Sequence, residues 1–192
     1  MLRSLAAAGI LFFAAFDARA QFDTSKLKDA AKEAGKTAAG QAEEKGRGAA
    51  QKAGAGELEK RINEKLLDDA RKNQCAFKSG SDEFEGDCKD KLENLNQSLI
   101  DAKKKLQDAG VSGFKFEVSG HTDSSGSAKK NKALSGKRAA RIVKELVKKG
   151  IPEKEIISVG KGSSEPLEKP DNTPEKKARN RRYEIRVRLL AK

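Results

Sequence analysis

GHTDSSGSAKKNKALSGKR, residues 120–138, joins the end of a strand to a helix through a Gly- and Ser-rich loop. Before it, Phe114, Phe116 and Val118 alternate with Lys115 and Glu117, the period of a strand with one buried face. Ser127 is placed to cap a helix over 128–149, whose apolar face carries Leu134, Ile142, Val143, Leu146 and Val147. Asp123 therefore sits in a loop at a strand end, where open α/β sheets place ligands. Arg138 sits on the helix, one turn from Leu134 and one from Ile142, in line with the apolar face. A buried guanidinium without a partner is costly, so Arg138 is expected to meet either Asp123 or a ligand carboxylate. Held by separate elements around one cleft, the two can grip a zwitterion: Asp123 takes the ammonium and Arg138 the carboxylate, as a fork.

The wording of the stretch, GHTD followed by Gly126, Asn131, Leu134-Ser135 and Arg138-Ala139, resembles the signature of the OmpA-like, peptidoglycan-associated domain family. Asn180-Arg181-Arg182 matches that family's NRR motif, and Phe77-x-x-Gly80-Ser81-x-x-Phe84 resembles its first-strand signature. The resemblance covers roughly residues 74–190. It implies that Asp123 and Arg138 hold the diaminopimelate of a peptidoglycan stem peptide, with Asn131, Thr122 and Arg182 nearby. For Asn131, a hydrogen bond that anchors the loop is an equal alternative. Asn180 is expected to brace the preceding loop. The sequence departs from the family in that loop, where Lys176 and Lys177 stand for Gly and Arg and one residue is missing.

Elsewhere the period supports helices over 57–72 and 89–108. Leu58, Ile62 and Leu66 line the first, which either packs on the domain edge or pairs with another chain. Leu92, Leu95, Leu99 and Leu106 line the second, with Asp87 as its N-cap. Short strands are expected at 74–78, 156–159 and 183–189, and a helical turn near 175–178. Strand–helix alternation with one apolar face per strand specifies an α/β two-layer sandwich. Its sheet is mixed and about four-stranded, with helices on one face, preceded by a flexible or helical N-terminal segment.

The domains expected are a signal peptide over 1–20, a low-complexity Ala/Lys/Gly/Glu tether over 21–56, the amphipathic helix over 57–72 and the OmpA-like domain over 73–192. The signal reading rests on Arg3, the apolar run Leu5–Phe16 and the small-x-small Ala18-Arg19-Ala20. That run is shorter than the ~20 residues a bilayer requires. It makes the protein an exported, periplasmic one, associated with the outer membrane only through partners. In an oxidising compartment Cys75 and Cys88 are read as a disulfide, with two buried free thiols as the alternative. With two Cys and one His, no zinc spacing is present. No cofactor is expected.

The net charge of +12 raises the question of a nucleic-acid partner. Export, the absence of Trp and a single Tyr argue against it. Anionic peptidoglycan and lipid headgroups fit the charge better, and a merely solvated Lys-rich surface is the plainer alternative. The function expected is non-catalytic binding of peptidoglycan, which contributes to cell-envelope integrity. The alternative is an envelope adaptor whose residues 22–72 bind a membrane protein or self-associate. A hydrolase is disfavoured: no acid/base pair accompanies Asp123, and His121 has no nucleophile pattern beside it.

Overall fold

The computed structural model describes residues 54–190. The expected signal peptide and the tether up to residue 53 lie outside the described residues. In chain order the elements are α1 (residues 54–72), α2 (Lys89–Asp108), β1 (Phe114–His121), α3 (Ala128–Lys148), β2 (Ile156–Gly162), α4 (Pro174–Asn180) and β3 (Tyr183–Leu189).

The sheet order is β2-β1-β3, with β1 parallel to β2 and antiparallel to β3. The β1–α3–β2 crossover forces the parallel pair, and α3 covers the sheet on one face. Phe116, Val118, Ile185 and Val187 point to that face and are almost fully buried. Ile142 and Leu146 of α3 and Leu95, Leu99 and Leu106 of α2 pack in the same core. The range of α2 is the one expected from the sequence, and only its N-cap differs from the expected Asp87. Cys88 is its N-cap, and the Asp87 carboxylate accepts from the Lys89 N–H at 2.9 Å.

Three strands stand where about four were expected. Residues 74–78 make only an isolated bridge, Phe77 to Phe84, in a hairpin closed by the Cys75–Cys88 disulfide (Cα–Cα 5.6 Å). The fourth strand's place at the β3 edge is taken by side-chain amides. Asn63 accepts from the Val187 N–H at 2.7 Å and donates to its carbonyl at 3.1 Å. Gln74 does the same for Tyr183, at 3.1 and 2.9 Å. An edge strand with free N–H and C=O groups is a template for unwanted pairing, and two amides here satisfy part of it. The α1 stripe of Ile62, Leu66 and Ala70 is buried in the domain's own core.

What sets the height of α3 above the sheet is glycine. A Cβ at Gly120 of β1 would lie 2.2 Å from the Ser135 carbonyl oxygen. One at Gly160 of β2 would lie 2.4 Å from the Lys132 carbonyl oxygen and 2.7 Å from the Gly136 nitrogen. Helix backbone rests directly on strand backbone. Ser135, fully buried at this contact, accepts from the Gly162 N–H at 2.9 Å.

Gly120→Ala and Gly160→Ala are expected each to lower stability by about 1–3 kcal/mol or more, because the clash is with backbone that cannot rotate away. Urea unfolding followed by circular dichroism measures this; Gly80→Ala does not serve as a neutral control, since its φ is +66°. Gly113→Ala does, since the added Cβ would meet Leu190 at an ordinary 3.6 Å.

Candidate functional site

A cleft of about 680 Å³ opens between the 75–85 hairpin, the loop after β1, the first half of α3 and the end of α4. Asp123 and Arg138 both line it, and so do Thr122, Asn131, Arg181 and Arg182. The five residues singled out from sequence therefore surround one cavity.

Asp123 enters on the loop directly after β1. Its Oδ1 accepts from the Ser125 N–H at 2.9 Å, an Asx turn that shapes the loop. Its Oδ2 accepts from Arg181 Nη1 at 2.9 Å. Burial pushes this carboxyl up, but the Arg181 and Ser125 hydrogen bonds outweigh it and hold it below the usual range. A carboxylate offers about four lone-pair sites, so this one retains acceptor capacity beyond those two bonds.

Arg138 does not meet Asp123 directly. Its Nε donates to the Ser81 carbonyl at 2.9 Å and its Nη2 to the Lys78 carbonyl at 3.2 Å. Its Cζ lies 5.1 Å from the Phe77 ring centroid. Of the two expected partners, Asp123 or a ligand carboxylate, Asp123 is not the one met; carbonyl oxygens of the 75–85 hairpin hold the guanidinium. Burial first, then the charge of Arg181, pull its pKa below the ordinary guanidinium value. Those contacts use two of the five N–H groups a guanidinium carries. No carboxylate within salt-bridge distance of Arg138 is present among the described residues.

The hairpin is itself fastened to α3. Phe77 and Phe84 pack with ring centroids 5.2 Å apart, and Arg141 lies over Phe84 at 5.0 Å as Arg138 lies over Phe77. Such contacts contribute roughly 0.5–1 kcal/mol each when exposed. The disulfide fixes the hairpin's base, so the carbonyls that aim Arg138 are covalently anchored.

Asn131 donates to the carbonyls of Ser125 and Asp123, at 3.0 and 3.3 Å. Of its two expected roles, the loop anchor is the one with bonds in place. Thr122 donates its N–H to the Gly162 carbonyl at 2.9 Å, while its buried hydroxyl has no partner among the described residues. His121 is buried, and burial followed by the Arg182 charge pushes its pKa down to about 4. It is neutral near pH 7, with Nε2 3.4 Å from the Ser119 hydroxyl.

Arg182 borders the cleft, and its guanidinium donates to Glu184 Oε1 at 2.8 Å and to the Glu165 carbonyl at 3.1 Å. The strand's period of two is the reason: Tyr183 turns to the helices, so Arg182 and Glu184 share the opposite face. The arginine beside Asp123 is Arg181, at the end of α4. The NRR motif marked the neighbourhood, but nothing local separates its two arginines.

Asp171 was not foreseen. It accepts from the Ser124 N–H at 2.8 Å, from the Ser124 hydroxyl and from Asn180 Nδ2 at 3.0 Å. Asn180 in turn accepts from the Leu167 and Glu168 N–H groups at 2.8 and 3.0 Å. The Asp123 loop is thus tied through Asp171 to the long loop before α4. In α4 itself, Thr173 caps the helix and Pro174 opens it, and Ala178 and Arg181 face the cleft.

A model of the OmpA family matches residues 76–181. Outer membrane porin F of Pseudomonas fluorescens is 45% identical over 76 residues, 39% of this chain and 23% of that protein. The peptidoglycan-binding protein ArfA of Mycobacterium tuberculosis is 39% identical over 95 residues, 50% of this chain and 27% of that protein. The chain thus spans about a quarter of the length of these relatives. The peptidoglycan-associated lipoprotein of Burkholderia pseudomallei superposes with a TM-score of 0.50 at 21% identity, over 62% of this chain and 93% of that one. That likeness concerns the fold.

The Ser124 and Asn180 hydrogen bonds hold the Asp171 carboxyl down at about 2, against a usual 3.8. A depressed carboxyl stabilises the fold fully above its unfolded value and loses that contribution as pH falls through its folded value. Asp171→Asn is expected to be less stable than wild type at pH 6, with the gap closing between about pH 4 and pH 2. Thermal unfolding of both proteins across that range measures it.

Proposed function

Because the chain belongs to the OmpA family, we propose that it binds peptidoglycan non-covalently in the periplasm, without catalysis, through the diaminopimelate of the stem peptide. The observation that carries this reading is the pair of opposite charges on one cleft, with Arg138 lacking a carboxylate. The ligand ammonium approaches the free lone pairs of Asp123. The ligand carboxylate takes the remaining N–H groups of Arg138, a charge-assisted contact. The Thr122 hydroxyl and the Asn131 amide oxygen supply polar groups beside them. Arg181, already bound to Asp123, adds positive charge where a second anionic group of the stem would lie.

Pre-organisation supports the reading. Two backbone carbonyls and a phenyl ring hold Arg138, so little side-chain freedom remains to be lost on binding. The name of ArfA, a peptidoglycan-binding protein similar to half of this chain, points the same way. The adaptor alternative loses the 57–72 helix as a docking element, since the apolar stripe of that helix is buried in the domain's own core.

Asp123→Ala and Arg138→Ala are each expected to abolish pull-down by purified sacculi while the circular dichroism spectrum is retained. Wild-type binding by both variants rejects the mechanism. Soluble muropeptides give the finer test. A stem with lysine at the third position lacks the zwitterionic end of diaminopimelate, and it is expected to bind at least about tenfold more weakly, as loss of a charge-assisted contact requires.

A further inference from the structure

The outward side of α3 is charged in a way that α1 and α2 are not. In α1, Arg61, Lys65 and Lys72 each pair with a carboxylate one turn away. In α2, Lys104 pairs with Asp108, and Lys103 reaches Glu155. Helix α3 carries eight Lys and Arg residues against the single acid Glu145, which Arg141 and Lys148 share. Lys129, Lys130, Lys132, Lys137 and Lys144 are exposed and make no ion pair among the described residues.

Their placement is also unfavourable for the helix alone. Lys129 and Lys130 lie in the first turn, which holds no acidic residue. Cations there face the positive end of the helix dipole, where carboxylates are the stabilising choice. An external anion relieves both this repulsion and the mutual repulsion of the lysines.

The geometry is linear. Lys130, Lys137 and Lys144 recur every seven residues, which places them on one line with a spacing of roughly 10 Å at the helical rise. Exposed Ala133 and Ala140 flank the row on one side, and half-buried Leu134 and Arg141 on the other. The row begins at the cleft: Lys130 and Lys137 are the sequence neighbours of Asn131 and Arg138, which line it.

We propose that the row Lys130–Lys137–Lys144 is a second contact surface for the same polymer, where carboxylates of neighbouring stem peptides lie when one stem occupies the cleft. The proposal rests on the peptidoglycan reading above. A lipid surface fits the row less well. Helices that lie on membranes set exposed large apolar residues among their basic ones, whereas no large apolar residue of α3 is exposed. Ile142 and Leu146 of α3 are buried against the sheet, and Leu134, Val143 and Val147 are half-buried.

The triple variant K130Q/K137Q/K144Q tests it. Since all three side chains are exposed, its melting temperature is expected to match wild type. Its affinity for sacculi at low ionic strength is expected to fall roughly tenfold, the combined weight of three exposed ion pairs. The salt dependence of binding flattens, because added salt screens what the lysines supplied. Affinity for a soluble single-stem muropeptide stays unchanged. Wild-type sacculus affinity and salt dependence in the variant overturn the proposal. So does an equal loss for the single-stem muropeptide, which assigns the effect to the cleft. Lysine-dependent binding to phosphatidylglycerol vesicles, with sacculus binding unaltered, replaces the wall with a lipid surface and also overturns it. Failure of the cleft reading has a different signature: full sacculus binding by Arg138→Ala.

Discussion

The close approach of α3 to the sheet is the constraint on which the rest depends. Gly120, Gly136 and Gly160 carry no side chain at the contact, and helix backbone meets strand backbone there. A methyl group at Gly120 or Gly160 would fall inside the van der Waals envelope of a carbonyl. With the helix this close to the sheet, Asn131 reaches the carbonyls of the loop after β1. That bond curls the loop over the helix start and brings Asp123 to the same cleft as Arg138, although the two lie fifteen residues apart in sequence. The loop geometry and the cleft are therefore consequences of packing density at three glycines.

Around that contact the charges are arranged by relay. Asp123 is gripped by Arg181, whose own position depends on α4 ending at Asn180. Asn180 and Asp171 tie the loops on either side of α4 together, and Asp171 reaches across to Ser124. On the far wall, the disulfide-closed hairpin lends two carbonyls and a phenyl ring to Arg138. Neither charged group of the cleft is free to wander, and neither is neutralised by the other. A site that keeps a cation and an anion apart on a rigid frame is suited to a ligand with the same two charges in reverse.

Much of this was legible in the chain. Periodicity located α2, α3 and the three strands, since burial of one face is a local demand that alternation or a four-residue spacing records. The Gly/Ser-rich loop with Asp123 and the guanidinium of Arg138 in an apolar line marked the two poles of the cleft. Residues 74–78 misled, because a Phe-containing extended stretch reads alike whether it joins a sheet or folds into a hairpin. The amides of Asn63 and Gln74, which cover the β3 edge in its stead, carry no periodic signal. The NRR motif places two arginines side by side at the cleft, and only the fold decides that Arg181 is the one that meets Asp123.

By itself, the sequence determined the helices, the three strands of the sheet and the oppositely charged pair, all of which follow from residue chemistry and short-range spacing; it left Cys75 and Cys88 open between a disulfide and two free thiols. Only the tertiary structure decided the partners: Arg181 for Asp123, the Lys78 and Ser81 carbonyls for Arg138, and Asp171 for Ser124. These contacts join positions 47 to 60 residues apart. Which atoms meet over such separations depends on how closely α3 settles on the sheet and on which way the hairpin folds. Those are properties of packing in three dimensions, and a local pattern of residues does not contain them.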